Sequence, residues 1–349
     1  MKRFLCILLI ALLALSCCAA LAEEKPDWVR DDPSTLGDTL VLYSTYDDPQ
    51  QKLVEGLWYK YYPDCKIEWV SDSVGKLIAR ARGEVSNPYA DCIWGGLFET
   101  DGTMYQDVLQ PYTPCNADQM ISTDPFGYYT FFDVQYICLV VNKDLEAELG
   151  LEIKSYEDLL NPALKGKILL ADPAATSSGY HQFFNMLAVM GDELGDDKAW
   201  EYIDKLIENT DGVITTSSSQ VFKDVIAGEY VVGLSYENIV EMQIEKNGAD
   251  NIRLVYPTEG NTGTASGAGM VKDCKHPEAA AAILDMAGSV EYQMIRLEDS
   301  CSRGTNGNIV YDAFPSDDEL GAVKVDYEEL GKQKEALLEK WQEHWDELA

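Results

Sequence analysis

Four apolar residues, 168–171, run into the turn Asp172-Pro173-Ala174-Ala175-Thr176-Ser177-Ser178-Gly179-Tyr180 and then into a helical pattern carrying Phe183, Phe184 and Leu187. A strand that passes through a short turn directly into a helix must fold back over its own sheet. Repeated units of this kind build a parallel sheet covered by helices. The first N–H groups of each such helix lack an internal partner, and the aligned peptide dipoles leave partial positive charge there. At any single turn of this type a hydroxyl most often only caps the helix. Here the turn recurs, and the recurrence matters more than any one copy.

Residues 39–43 read as a strand, followed by Ser44-Thr45 and a helix opened by Asp48-Pro49. Residues 66–70 form a second strand, ending at Ser73-Val74-Gly75 before a helix with Leu77, Ile78 and Ala81. Residues 91–94 form a third, broken by Gly95-Gly96. After a long extended run at 136–142 the pattern restarts at 167–171. It continues with Thr215-Thr216-Ser217-Ser218-Ser219 ahead of a helix, and with strand 230–234 ending in Ser235-Tyr236-Glu237-Asn238. Ligands of open α/β sheets bind beyond the carboxyl ends of the strands. Two such series joined by extended segments describe two lobes with a cleft between them. The C-terminal tail is a helix with Leu337, Trp341, Trp345 and Leu348 at core spacing, which reads as packing.

Met1-Lys2-Arg3, an apolar stretch and Ala20-Leu21-Ala22 read as a secretory signal over 1–22, cleaved before Glu23, with 23–37 a flexible leader. Ala14-Leu15-Ser16-Cys17 loosely resembles a lipid-anchoring site, so an exported chain with an optional anchor is expected. With 27 basic and 60 acidic residues the formal charge is −33, which repels nucleic acid and anionic headgroups at long range. A small anion held by backbone dipoles inside a cleft is not excluded, because those act locally. Removal of the signal leaves Cys65, Cys92, Cys115, Cys138, Cys274 and Cys301. An exported chain permits disulfides among them. Cys274 with Cys301, flanking one helical segment, and Cys65 with Cys92, on neighbouring strands, are the expected pairs. Neither a phosphate loop nor a dinucleotide fingerprint occurs, so no cofactor is expected.

The stretch 75–84 with 87–96 (Asn-Pro-Tyr-Ala-Asp-Cys-Ile-Trp-Gly-Gly) resembles family 1 extracellular solute-binding proteins, most closely their ferric-iron-type branch. Residues 156–162, 165–168, Asp172-Pro173, 227–233 and 275–280 continue the match in order. The resemblance implies an α/β, type II periplasmic-binding-protein fold with two parallel-sheet lobes and a two-strand hinge. Residues 38–137 with 265–349 form lobe 1 and 138–264 form lobe 2. It further implies a monomer that closes on a small-molecule solute and delivers it to the membrane permease of an ATP-driven (ABC) importer, without turnover.

Ferric-binding members of that family carry adjacent tyrosines in the second lobe; the matching loop here has Tyr236 followed by Glu237. Tyr128-Tyr129 lies elsewhere, and the three histidines do not cluster. Ser44, Thr45, Ser73, Gly75, Gly95, Gly96, Thr176, Ser177, Ser178, Ser217 and Ser218 sit on turns aimed at one cleft, and three of those turns open helices. They favour an anionic organic solute such as a sugar phosphate or phosphonate. Tyr236 and Glu237 are then expected to meet the rest of the solute, and Lys76 or Arg80 to assist. A ferric ion, a small cation (polyamine or thiamine-like) and a hydrolase on the same fold are the other readings. The Gly-x-Ser-x-Gly elbow of many hydrolases is absent.

Overall fold

The computed structural model describes residues 25–311 and 314–349; the expected signal, 1–22, lies outside them. In the first lobe, β1 (Thr39–Ser44) leads to α1 (Asp48–Tyr61). This helix start is fixed by a capping box, in which Asp47 accepts from the Gln50 N–H and Gln50 accepts from the Asp47 N–H. There follow β2 (Lys66–Ser71), α2 (Val74–Gly83), β3 (Cys92–Phe98), β4 (Leu109–Gln110) and β5 (Thr130–Gln135). The chain then enters the second lobe through β6 (Ile137–Asn142) and α3 (Lys143–Glu148). That lobe continues with β7 (Ile168–Ala171), α4 (Ser177–Val189), α5 (Asp197–Thr210), β8 (Ile214–Thr215), α6 (Ser218–Ala227), β9 (Val232–Tyr236), α7 (Glu237–Glu245) and β10 (Ile252–Val255). It returns through β11 (Thr264–Val271), α8 (Pro277–Ala287) and α9 (Val290–Ser300), and ends in α10 (Tyr327–Leu348).

Strand order is β2-β1-β3-β11-β4 in the first sheet, with β5 also on β11, and β10-β6-β9-β7-β8 in the second. β1, β2 and β3 are parallel, as are β7, β8 and β9. The strands that carry the chain between lobes pair antiparallel: β11 with β3, β4 and β5, and β6 with β9 and β10. Each sheet is therefore mixed rather than wholly parallel, because the crossing strands enter against the direction of the strand–helix units. In both sheets the parallel strands end at the gap between the lobes, which puts their turns there.

Tyr136 separates β5 from β6, and residues 256–263 separate β10 from β11. Asn261 ties the two crossings by accepting from the Ile137 N–H and donating to the Ile137 carbonyl, as a paired strand would. A third crossing accompanies them. Past α9 the backbone runs along β5, where Val134 N donates to Arg303 O, and then along 261, where Val323 N donates to Asn261 O. It delivers α10 to the second lobe: Trp341 is 2 % exposed in that lobe's core, beside Phe183 and Trp200. The tail tryptophans pack as their spacing indicates, but α10 sits on the second lobe's core and not on the first's. Local spacing identifies a buried stripe without naming the surface that buries it.

The leader is not loose from Trp28 onward. Trp28 and Leu36 are each 2 % exposed, and the Trp28 ring meets Tyr61 edge-on at 5.0 Å. Arg30 Nη1 reaches buried Asp285 at 2.8 Å. All six cysteines from Cys65 onward are free thiols, so neither expected disulfide forms. β1 lies between β2, which Cys65 immediately precedes, and β3, which bears Cys92; that places the two strands roughly 9–10 Å apart, beyond disulfide reach. Two helices, α8 and α9, separate Cys274 from Cys301. Cys274 lies near Asp91, whereas Cys301 lies near Lys246 and Glu241 of the other lobe.

Candidate functional site

A cleft of about 660 Å³ opens between the lobes at the ends of the parallel strands. The first lobe contributes Thr45, Tyr46, Ser73, Gly75, Gly95 and Gly96; the second contributes Thr176, Ser177, Ser178, Ser218 and Tyr236. Ten of the thirteen residues chosen from sequence thus line one cavity. At its floor the lobes touch: Thr100 Oγ1 and His181 Nε2 are 2.9 Å apart, and the Phe98 and His181 rings meet edge-on at 4.4 Å.

The glycine pair has a definite task. β3 does not stop there; it continues to Phe98, and its pairing with β11 shifts register between Gly267 and Ala268, opposite this segment. Gly95 and Gly96 form the bulge, with φ of 76° and 74°. A Cβ on Gly96 would lie 2.7 Å from Thr45 Cγ2, and one on Gly95 2.8 Å from Tyr46 Cε1. Only glycine both adopts that backbone and lets the 45–46 turn close over the strand.

Four helices of eight or more residues begin at the cleft. Thr176 caps α4 through its hydroxyl, which accepts from Gly179 N at 2.9 Å, so the capping role of that residue is real. Ser177 and Ser178 follow it in the first turn and face the cavity. The N-cap residues of α2 (Ser73), α6 (Ser217) and α7 (Tyr236) make no side-chain capping bond. None of α2, α4 and α6 carries an acid in its first turn.

Three expected residues are not in the lining. Ser44 is fully buried; its hydroxyl donates to Trp94 O at 2.9 Å and accepts from Tyr46 N at 3.0 Å, so it builds the turn from beneath. Ser217 occupies the N-cap position of α6 without a side-chain capping bond, its exposed hydroxyl 3.3 Å from that of Ser219. Glu237 is 2 % exposed and turns toward the hinge, where it forms a two-pronged pair with Arg303 (2.7 and 2.5 Å) and accepts from the Tyr256 hydroxyl. Lys76 pairs with Asp72 and Arg80 with Glu84 on solvated faces, outside the cavity lining.

The charged residues that do line the cavity are Asp133, Arg296 and Lys334. Arg296 Nη2 lies 2.8 Å from Asp133 Oδ2, with both side chains buried, and the guanidinium also donates to the Tyr46 hydroxyl. Burial pushes the Asp133 carboxyl up to about 7, and the hydrogen bond from Gln135 opposes that push. Asp133 Oδ1, Arg296 Nε, Gln135 Oε1, Asn238 Oδ1 and the Tyr180 hydroxyl are buried without a hydrogen-bond partner among the described residues. All five belong to residues lining the cavity. Buried polar atoms without partners are costly, so their convergence marks a surface shaped for a polar guest. Sequence patterning missed Asp133, Arg296 and Lys334, which sit mid-strand or mid-helix with no turn or motif beside them. From sequence His181 is an unclustered histidine, the nearest to a hydrolase base but without the third partner one needs. Its Nδ1 lies 2.6 Å from the Tyr236 hydroxyl, and burial with the Lys334 charge nearby pushes its imidazole down to about 3.

Among solved structures, the chain is similar to the periplasmic binding protein AfuA from Actinobacillus pleuropneumoniae, described with exogenous fructose-6-phosphate bound. The TM-score is 0.75 at 22% identity, covering 88% of this chain and 98% of that one. Iron-bound HitA from Pseudomonas aeruginosa gives a TM-score of 0.70 at 20% identity, covering 87% and 99%. Among curated sequences, an uncharacterized protein of Haemophilus influenzae is 25% identical over 292 residues, 80% of this chain and 82% of that protein. A thiamine-binding periplasmic protein of Brucella suis is 28% identical over 238 residues, 64% and 66% of the two chains. No helix of the described residues is long and apolar enough to cross a membrane. The family described as "Bacterial extracellular solute-binding protein" matches residues 40–320, and on that match, over the fold and interlobe cleft described above, this chain belongs to it.

Proposed function

We propose that this protein captures an anionic organic solute, a sugar phosphate or phosphonate, by closing its two lobes, and passes it to the permease of an ABC importer. One observation carries the choice of anion. In a chain with 60 acidic residues, α1, α3, α5, α8 and α9 each carry an acid in the first turn, as the helix dipole favours. Of the four helices that begin at the cleft, the acid of α7, Glu237, is turned to the hinge and paired with Arg303, and α2, α4 and α6 carry none. Their N-terminal charge is left for a guest. The Asp133–Arg296 pair and Asn238 suit the hydroxyls of the guest's other end. Export, with or without a lipid anchor, and action as a monomer without turnover complete the reading.

A second reading has its own support. Tyr46, Phe98, Tyr105, Tyr180 and Tyr236 line the cavity together with buried Asp133, and rings beside a carboxylate suit an aromatic cation such as thiamine, the ligand named for the Brucella suis relative. Ferric binding fits less well. Tyr236 is already engaged with His181, and burial pushes its phenol well above its ordinary value, which works against the phenolate that iron requires. Thermal unfolding against fructose 6-phosphate, glucose 6-phosphate, glycerol 3-phosphate, 2-aminoethylphosphonate, thiamine and ferric citrate separates these readings. At a hundredfold excess over Kd a true ligand stabilises by about 2.7 kcal/mol. A melting shift with a phosphorylated compound is expected; a shift with thiamine or iron alone refutes the anion.

A further inference from the structure

We propose that Lys334, carried by the C-terminal helix α10, reads the charge of the solute: with the Tyr180 hydroxyl it takes up the acid group in the cleft. This rests on the anionic-solute reading and adds a specificity-determining residue to it. α10 lies outside residues 40–320, the stretch matched to the family, so the family match itself does not assign this residue.

The placement is built from both lobes. At one end of α10, Gly331 lies so close to the first lobe that a Cβ there would be 3.3 Å from Thr100 O. At the other, Trp341 packs edge-on against Phe183 of α4 in the second lobe, with ring centroids 5.1 Å apart. Between these anchors Lys334 and, one turn on, Leu338 face the cleft. The Lys334 ammonium stands 4.7 Å over the Tyr180 ring and pairs with buried Asp101, 3.5 Å from its Oδ1, a single long contact that leaves it further N–H donors for a guest. Tyr180 is 1 % exposed, belongs to the cavity lining, and its hydroxyl has no partner among the described residues. It also sits at the end of the first turn of α4, two residues after Ser178. An ammonium, a buried phenol and a helix start thus meet at one end of the cavity. Asp133 and Arg296 form a separate ion pair held by Tyr46 and Ser302. A solute bound with its acid group at Lys334 and its hydroxyls at Asp133 satisfies both sets.

The experiment is calorimetric titration of wild type, Lys334→Met and Lys334→Arg with fructose 6-phosphate, glucose 6-phosphate and the unphosphorylated sugars. Lys334→Met should weaken the phosphorylated sugars by roughly ten- to hundredfold, as expected for a lost hydrogen bond to a charged group. Weak binding of the neutral sugars should stay unchanged, and Lys334→Arg should recover most of the loss. Loss of the Asp101 counter-charge should lower the unliganded melting temperature in any case, so the ratio between ligand classes is the readout. A merely structural lysine would alter both classes alike and leave their ratio fixed; that result overturns the assignment. Equal affinity of wild type and Lys334→Met for sugar phosphate overturns it too, while leaving the anionic reading in place. Wild type that binds no phosphorylated sugar defeats the anionic reading and this assignment together.

Discussion

Replacing Arg303 by Met should destabilise the protein by about 3–5 kcal/mol, because it leaves the Glu237 carboxylate buried without its counter-charge. Both side chains are almost wholly covered, at 8% and 2% exposure. The guanidinium lies between the Tyr136 and Phe314 rings, at 4.6 and 4.9 Å, where water cannot replace it. The pair joins the start of α7 in the second lobe to the segment past α9 that runs alongside β5 in the first, so its loss also loosens the hinge. Urea unfolding gives the comparison. The double variant Arg303→Met/Glu237→Gln should recover much of the stability, since the stranded charge is gone. A single variant as stable as wild type, or a double variant no better than the single, would show that the pair does not hold the hinge.

Acid should act on the contact between the lobes through His181. The unfolded imidazole takes up its proton near pH 6.5, but the folded one resists until about 3, chiefly through burial and then through Lys334. Between those values the unfolded chain binds more protons, so stability contributed here is complete above pH 6.5 and falls as pH drops. At pH 5 the loss attributable to this one residue is about 2 kcal/mol. The other groups against the ring are Thr100, the Tyr236 hydroxyl and the Phe98 ring, none of which titrates in that range. His181→Asn, which keeps a donor and an acceptor, should lack this component. Urea midpoints for both proteins at pH 7 and pH 5 test it. Parallel declines would mean that His181 is not the group responsible.

The strand–turn–helix units were legible because each is written locally: an apolar run, small polar residues, then a 3.6-residue stripe. That is why Thr45, Ser73, Gly75, Thr176 to Ser178 and Ser218 fall at the cleft. Ser44 misled because a turn residue reads as polar and exposed, whereas it fills the space beneath the turn. Glu237 misled for a different reason. Its partner Arg303 is 66 residues away, and no local pattern announces a pair across a hinge. Arg296, Asp133 and Lys334 were invisible on the same grounds, being brought to the cavity by tertiary packing alone. The disulfide expectation failed on strand order: adjacency in the chain suggested adjacency in the sheet, and β1 stands between the two strands concerned.

Native mass spectrometry of the protein purified from its source, released and then fragmented, asks most directly what the cleft was made to hold. The expected result is one bound small molecule per chain, of acidic character and carrying phosphorus. Bound thiamine, or ferric ion in place of an organic acid, would contradict the claim that the acid-free helix starts of α2, α4 and α6 are there to receive negative charge.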